Sequence, residues 1–239
     1  MTFPGGTSVS HLTVYTGRCL DGLAGGTPHL HTASTEAYVV TGGTGALQTL
    51  DASGFRETPL AAGSLLWFTP GVIHRAVNHG DLRVVVVMSN AGLPEAGDAV
   101  MTFPPEVLRT AESYQAAAVL PREDEEAVAR RRDLAVAEFL RLRAAVESDD
   151  FAPLHAFYEA AARLVRANVP RWREIWRETV AAQAARTAGM LKNLDAGDAV
   201  HLRAGAVSGA PRSETEGWGM CGRLGTHDVR HPQRPGGSQ

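Results

Sequence analysis

The sequence predicts an all-β barrel of the jelly-roll kind followed by an α-helical C-terminal region. Three observations carry that expectation. Between Ser8 and Met88, short runs of β-forming residues are separated at close, regular intervals by glycine, proline and aspartate breaks. After Pro121 the apolar residues switch to helical spacing. In the first half, two histidines at i and i+2 sit where neighbouring strands can add a carboxylate and a third histidine.

Ser8–Thr16 opens the barrel, with Leu12 and Val14 on one face and Val9, Thr13 and Tyr15 on the other. A glycine-rich turn, Gly22–Gly26, delivers the chain to His29. Glu36–Thr41 is the next strand, and Gly42–Gly45 reads as a tight hairpin because glycine tolerates positive φ. Ala46–Asp51, Arg56–Leu60, Leu65–Phe68, His74–Asn78 and Leu82–Met88 follow as short strands. The barrel is therefore assigned to residues 1–105.

Residues 106–121 form a linker expected to pack on the barrel. The stretch from Ala91 to Pro121 carries Val100, Met101, Phe103, Leu108 and Tyr114, which favour burial. Residues 122–194 form a three-helix region. Its first helix begins in an acidic turn, Glu123–Glu126, that suits the helix dipole, and shows Val128, Ala135, Phe139, Leu142 and Val146 on one face. Asp149 and Asp150 can cap a second helix bearing Leu154, Phe157, Tyr158, Ala161 and Val165. Pro170 opens a third, with Trp172, Ile175, Trp176, Val180 and Met190 as its stripe. These helices can pack on one another, on the barrel or across a dimer. Residues 195–239 read as an irregular tail whose last ~13 residues, from His227, are expected to be disordered.

Composition sets the outer limits. Of 239 residues, 44% are hydrophobic and 21% charged, the balance of an ordinary soluble globular protein. The formal charge of −3 and the lack of a basic stripe argue against nucleic acid as a partner. No apolar run has membrane-spanning length and the N-terminus lacks a signal-peptide pattern, so no membrane association and a cytoplasmic location are expected. Cys19 and Cys221 stand far apart and imply no disulfide framework.

His29 and His31 project from the same face of one strand, and Glu36 can return on its neighbour. His74, on a separate hairpin, completes three imidazoles and one carboxylate. That donor set suits a first-row transition metal, whereas calcium and magnesium prefer all-oxygen sites. The pattern resembles the cupin signature. His29, His31, Glu36 and Gly43 fall on the family's first motif, with Leu23 where its opening glycine stands. Gly63, Gly71, His74 and Asn78 fall on the second, with Thr69 at the usual proline position and Pro70 one residue later. The resemblance covers roughly the first hundred residues. It implies a cupin barrel (double-stranded β-helix) and one divalent transition metal per chain, whether iron, manganese, nickel, cobalt or zinc.

Other residues compete for roles around that site. Tyr38 and Val40 share strand parity with Glu36, and Ala76 and Asn78 share it with His74. Tyr38 is thus a weak candidate for a catalytic contact beside the blander role of a core tyrosine. Only one of Trp67 and Phe68 can face inward. Arg75 and Arg83 could neutralise an acidic substrate or be solvated. Cys221 could be reactive or inert, and the remaining histidines read as surface or linker residues. The identical stretches Ala96–Val100 and Ala196–Val200 read as coincidence.

Three functions compete. The first is a metal-dependent cupin enzyme acting on a small organic molecule, a mononuclear non-haem oxygenase of dioxygenase-like type. The second is a cupin isomerase, epimerase or lyase using the metal as a Lewis acid on a sugar or sugar phosphate. The third is a non-catalytic cupin that binds a small ligand. The apolar helix faces and the habit of cupin barrels to pair imply a homodimer.

Overall fold

Two sixteen-residue strands, β3 (Glu36–Asp51) and β6 (Ile73–Met88), form the spine of an antiparallel β-barrel. The computed structural model describes residues 3–233. Around the spine lie β1 (Ser8–Val14), β2 (His29–His31), β4 (Gly54–Ala61), β5 (Leu65–Phe68), β7 (Ala99–Met101), β8 (Gly217–Trp218) and β9 (Gly222–Thr226). The sheet runs in the order β4-β3-β6-β1-β9-β8, with β2 between β6 and β7 and β5 beside β3.

The expected hairpin at Gly42–Gly45 is not formed. The chain runs straight through as one strand, with the β3–β6 register shifting between Val40 and Gly45. Such irregularities bend a strand, and here they turn a flat ladder into a barrel wall. Gly43 sits at φ +73°, and a Cβ there would collide with the Asp81 carbonyl. On the partner strand, the expected break at His79-Gly80-Asp81 is likewise a bend, with Asp81 at φ +49°. Two predicted strands, His74–Asn78 and Leu82–Met88, are therefore one.

The barrel has an apolar interior built from alternate residues, among them Leu12, Val14, Tyr38, Val40, Phe68, Ala76, Val84 and Val86. The opposite face of one wall, carrying Leu30, Leu50 and Ile73, is covered by helices. These are α1 (Ala111–Ala118), α2 (Glu125–Glu147), α3 (Ala152–Val165), α4 (Val169–Trp176) and α5 (Ala182–Asp195), the last two joined by a π-helical turn. α1 begins in a capping box made by Thr110 and Ser113, within the stretch read as linker. Asp124 caps α2 by accepting from the Ala127 N–H, and Asp150 accepts from the Ala152 N–H at the start of α3. Ala135, Phe139 and Leu142 of α2 join Leu154 and Phe157 of α3, Trp172 and Ile175 of α4, and the wall residues in one core. The helices thus back the barrel wall.

The third predicted helix diverges from expectation along its length. Its first part buries Trp172 and Ile175, but Trp176 and Met190 are exposed, and α5 has no buried residue. The tail differs as well. β9 pairs with β1 and β8 folds back on β9, so residues read as irregular complete the sheet edge. Of the stretch expected to be disordered, His227 and Gln233 form bridges with Arg212 and Gly209. Residues 234–239 lie outside the described part of the chain.

Leu30, between the two histidines of β2, gives a test of the backed wall. Leu30→Ala should destabilise the protein by ~2–5 kcal/mol in denaturant unfolding. A midpoint matching the parent's would contradict the packing described.

Candidate metal centre

Strand alternation alone carries four polar groups into the apolar barrel. His29 and His31 face inward because Leu30 between them is drawn outward under the helices. His29 pairs in register with His74 across the β2–β6 ladder, so two imidazoles come from directly opposed positions. Glu36, the first residue of β3, enters from the neighbouring wall. The donor atoms of His29, His31, Glu36 and His74 lie within 4.8 Å of one another, and all four residues are buried. These are the residues the sequence brought forward, and they are together.

The imidazoles are oriented by what their Nδ1 atoms touch. Nδ1 of His29 lies 2.8 Å from the Thr27 carbonyl, and Nδ1 of His74 3.0 Å from that of Val72. Nδ1 of His31 lies 2.7 Å from Oδ1 of Asp98. Each partner is an acceptor, so each neutral ring carries its proton on Nδ1 and presents an Nε2 lone pair to the centre. Nε2 of His74 and Oε2 of Glu36 are 3.0 Å apart, yet both are sealed from solvent without a well-formed hydrogen bond. Buried polar atoms without partners are costly. Three oriented imidazoles and one carboxylate oxygen form a donor set that a divalent transition metal fits once Nε2 of His31 gives up its proton.

The electrostatics follow from the crowding. Burial, together with the neighbouring His74 and His31, pushes the His29 imidazole well below its usual range. Burial also disfavours charge on His31, but the Asp98 and Glu36 carboxylates outweigh it and lift the group to about 10. For Glu36, burial opposes ionisation, and the His74 and His31 rings overcome it and hold the carboxyl below the ordinary range.

Around the centre, Phe68 is the inward residue of its pair and packs on His74 with ring centroids 4.2 Å apart, while Trp67 is exposed. Tyr38 is fully buried, and its hydroxyl has no well-formed hydrogen bond even though the Cys221 thiol lies beside it. Burial raises the Cys221 thiol to about 12, which keeps it protonated and inert. Asn78 ties backbone together, donating to the Val14 carbonyl and accepting from the Leu82 N–H. Arg75 points away from the centre. It pairs with Asp21, donates to Gln48 and lies 5.6 Å from the Phe139 ring, so it joins the wall to α2. Arg83 is exposed.

Asp98 was not singled out by the sequence reading. It lies 67 residues from His31, in one of the two identical pentapeptides. The repeat is without structural meaning, since Asp98 is fully buried at the centre and Asp198 is exposed. A short-range spacing could not reveal this contact.

Three histidines and a glutamate gathered inside a jelly-roll barrel form a group that could hold a transition-metal ion. Residues 19–89 match the model of the cupin domain. No curated protein matches the sequence. Among solved structures, the barrel is similar to WlaRA, a TDP-fucose-3,4-ketoisomerase from Campylobacter jejuni. That likeness has 8% identity and a TM-score of 0.32, over 38% of this chain and 64% of that one. It is also similar to Pac13, a nucleoside dehydratase from Streptomyces, at 17% identity and a TM-score of 0.31, over 41% and 69% of the two chains. A third likeness, to KdgF from Halomonas sp., has 24% identity and a TM-score of 0.25, over 28% and 58%. The chain thus spans under two thirds of WlaRA and KdgF, and those names describe those proteins alone. Among the described residues, no helix is long and apolar enough to cross a membrane.

His31→Ala should abolish most metal binding, read by elemental analysis after loading and desalting. His155→Ala, on the exposed surface of α3, should bind as the parent does. Equal metal content in His31→Ala and the parent would exclude the four-residue centre.

Proposed function

We propose that the chain is a metal-dependent cupin enzyme acting on a small organic molecule, with chemistry of the mononuclear non-haem oxygenase (dioxygenase-like) type. The metal reading rests on one observation above all, the three imidazoles whose Nδ1 atoms are engaged and whose Nε2 atoms converge on Glu36. His29, His31, Glu36 and His74 would hold one divalent transition metal. Four protein donors leave two positions of a six-coordinate ion for substrate and a second small molecule. Such an ion supplies Lewis acidity and, where redox-active, electron transfer.

The surrounding side chains favour the oxygenase reading over an isomerase, epimerase or lyase. Those reactions need a protein group that takes up a proton near neutral pH. Phe68, packed on His74, belongs to a core cluster that also holds Val86, Met88, Tyr38 and Cys221. Burial raises Tyr38 and Cys221 above their ordinary values, so neither serves as a base. The apolar lining would exclude water from the reacting molecule. Both cysteines are buried and unpaired, which supports a cytoplasmic setting.

The test is metal analysis of protein purified without added metal, followed by oxygen uptake across a panel of small organic molecules. Iron with substrate-dependent oxygen consumption is expected. Zinc with turnover in the absence of oxygen would replace this reading by the Lewis-acid one. A metal-free barrel retaining a bound small molecule would replace it by a binding function.

Assembly as a homodimer belongs to the same proposal. The outer faces of β5 and β3 carry Leu65, Trp67 and Val39 exposed, with Ala37, Val85 and Val87 half-buried beside them. An exposed apolar sheet face of this kind is costly in water, and pairing with a second copy about a twofold axis would cover it. Light scattering at micromolar concentration should give a dimer, and Trp67→Glu a monomer. A monomeric parent would refute the assembly.

A further inference from the structure

We propose that Asp98 is a positioning residue of the metal centre, which through His31 adds a second negative charge to that of Glu36 and so matches the site to a divalent ion. The inference rests on the metal reading above and extends it to a residue outside both motifs.

Three features single out this carboxylate. First, His29 and His74 place Nδ1 on neutral backbone carbonyls, whereas His31 places it on Asp98 at 2.7 Å. A carboxylate acceptor fixes ring and tautomer and makes Nε2 a stronger donor than a carbonyl acceptor does. Second, Asp98 is wholly buried and its Oδ2 has no hydrogen-bond partner. A buried carboxylate with one bare oxygen is destabilising for a fold unless positive charge lies close by. A cation across the His31 ring would supply that charge, and Glu36 and Asp98 together would neutralise a divalent one.

Third, Asp98 is held in place by more than His31. Its carbonyl accepts from both the backbone N–H and the hydroxyl of Thr32, each at 2.9 Å, and its own N–H donates to the Leu93 carbonyl. The turn that presents it is tied to α4, where the Trp172 indole N–H donates to the Ala96 carbonyl at 3.1 Å. The carboxylate is aimed at His31 by backbone and helix alike, an arrangement that the barrel core does not need.

The experiment compares the full-length parent with Asp98→Asn by chelator competition for Zn²⁺ and Co²⁺ and by the visible spectrum of the Co²⁺ form. Asparagine can still accept from the His31 ring but lacks the charge. A roughly 10–100-fold loss of affinity and a shifted Co²⁺ spectrum are expected while circular dichroism stays that of the parent. Parental affinity with an unshifted spectrum would overturn the role of Asp98 and leave the four-ligand centre standing. If Asp98→Asn does not fold, the parent itself decides, through the ¹⁵N-resolved imidazole resonances of the Zn²⁺ form. A strongly downfield proton on His31 Nδ1 supports the proposal, and its absence refutes it. A parent that binds neither ion removes both readings together, an outcome distinct from failure of Asp98→Asn alone.

Discussion

The centre depends on holding a three-residue strand still. β2 consists of His29, Leu30 and His31, and it meets β6 in register only where His29 faces His74. So short a strand has few ladder bonds of its own, yet two of its side chains must keep their separation to within a fraction of an ångström if they are to share an ion. The structure meets this constraint from both sides. β7 pairs with all three residues, from His29↔Met101 to His31↔Ala99. Leu30 is buried beneath the helices, so any slip of the strand would expose it and turn the histidines out of the barrel.

The helical half acts on the same constraint. From α1, the Tyr114 hydroxyl accepts from the Met101 N–H of β7. Next to β7, the Thr102 hydroxyl donates to the Ala135 carbonyl of α2. From α4, Trp172 holds the turn before β7. Three helices thus fasten one edge strand, and that strand in turn pins β2. The helices lie behind the ligands and give rigidity to the wall that carries them. A layer of this kind explains why Phe103, Leu108 and Tyr114 are apolar in a stretch that would otherwise be a solvated connection.

What was legible in the sequence follows the range of the interactions. His29, His31 and Glu36 could be read from strand parity and close spacing, both local properties, whereas His74 was placed by its fit to the second motif of the cupin resemblance. The inward turn of Tyr38, Val40 and Ala76 followed for the same reason. The course of β3 and β6 was misread because glycine serves equally for a hairpin and for a bulge, and the choice is made by the partner strand: Gly43 fits against Asp81 across the ladder. Asp98 was illegible because its meaning lies in a single contact across 67 residues. The third helix was half legible. Its stripe is continuous in sequence, but the surface it would cover ends after Val180, leaving Met190, Leu191 and Leu194 exposed.

Two buried carboxylates share one imidazole at the centre. Glu36 and Asp98 are both buried, and His31 stands between them, with Nε2 3.2 Å from Glu36 and Nδ1 2.7 Å from Asp98. A proton on His31 answers both, which is why the ring is lifted to about 10 despite its burial. The sign of the linkage is fixed by that rise. The imidazolium stabilises the fold fully below the ordinary histidine range, and this contribution is lost as pH climbs through about 10. A metal that takes Nε2 of His31 must displace this proton, so ion and proton compete for one place between the same two carboxylates. The two carboxylates that favour the proton on His31 would favour a cation there for the same electrostatic reason.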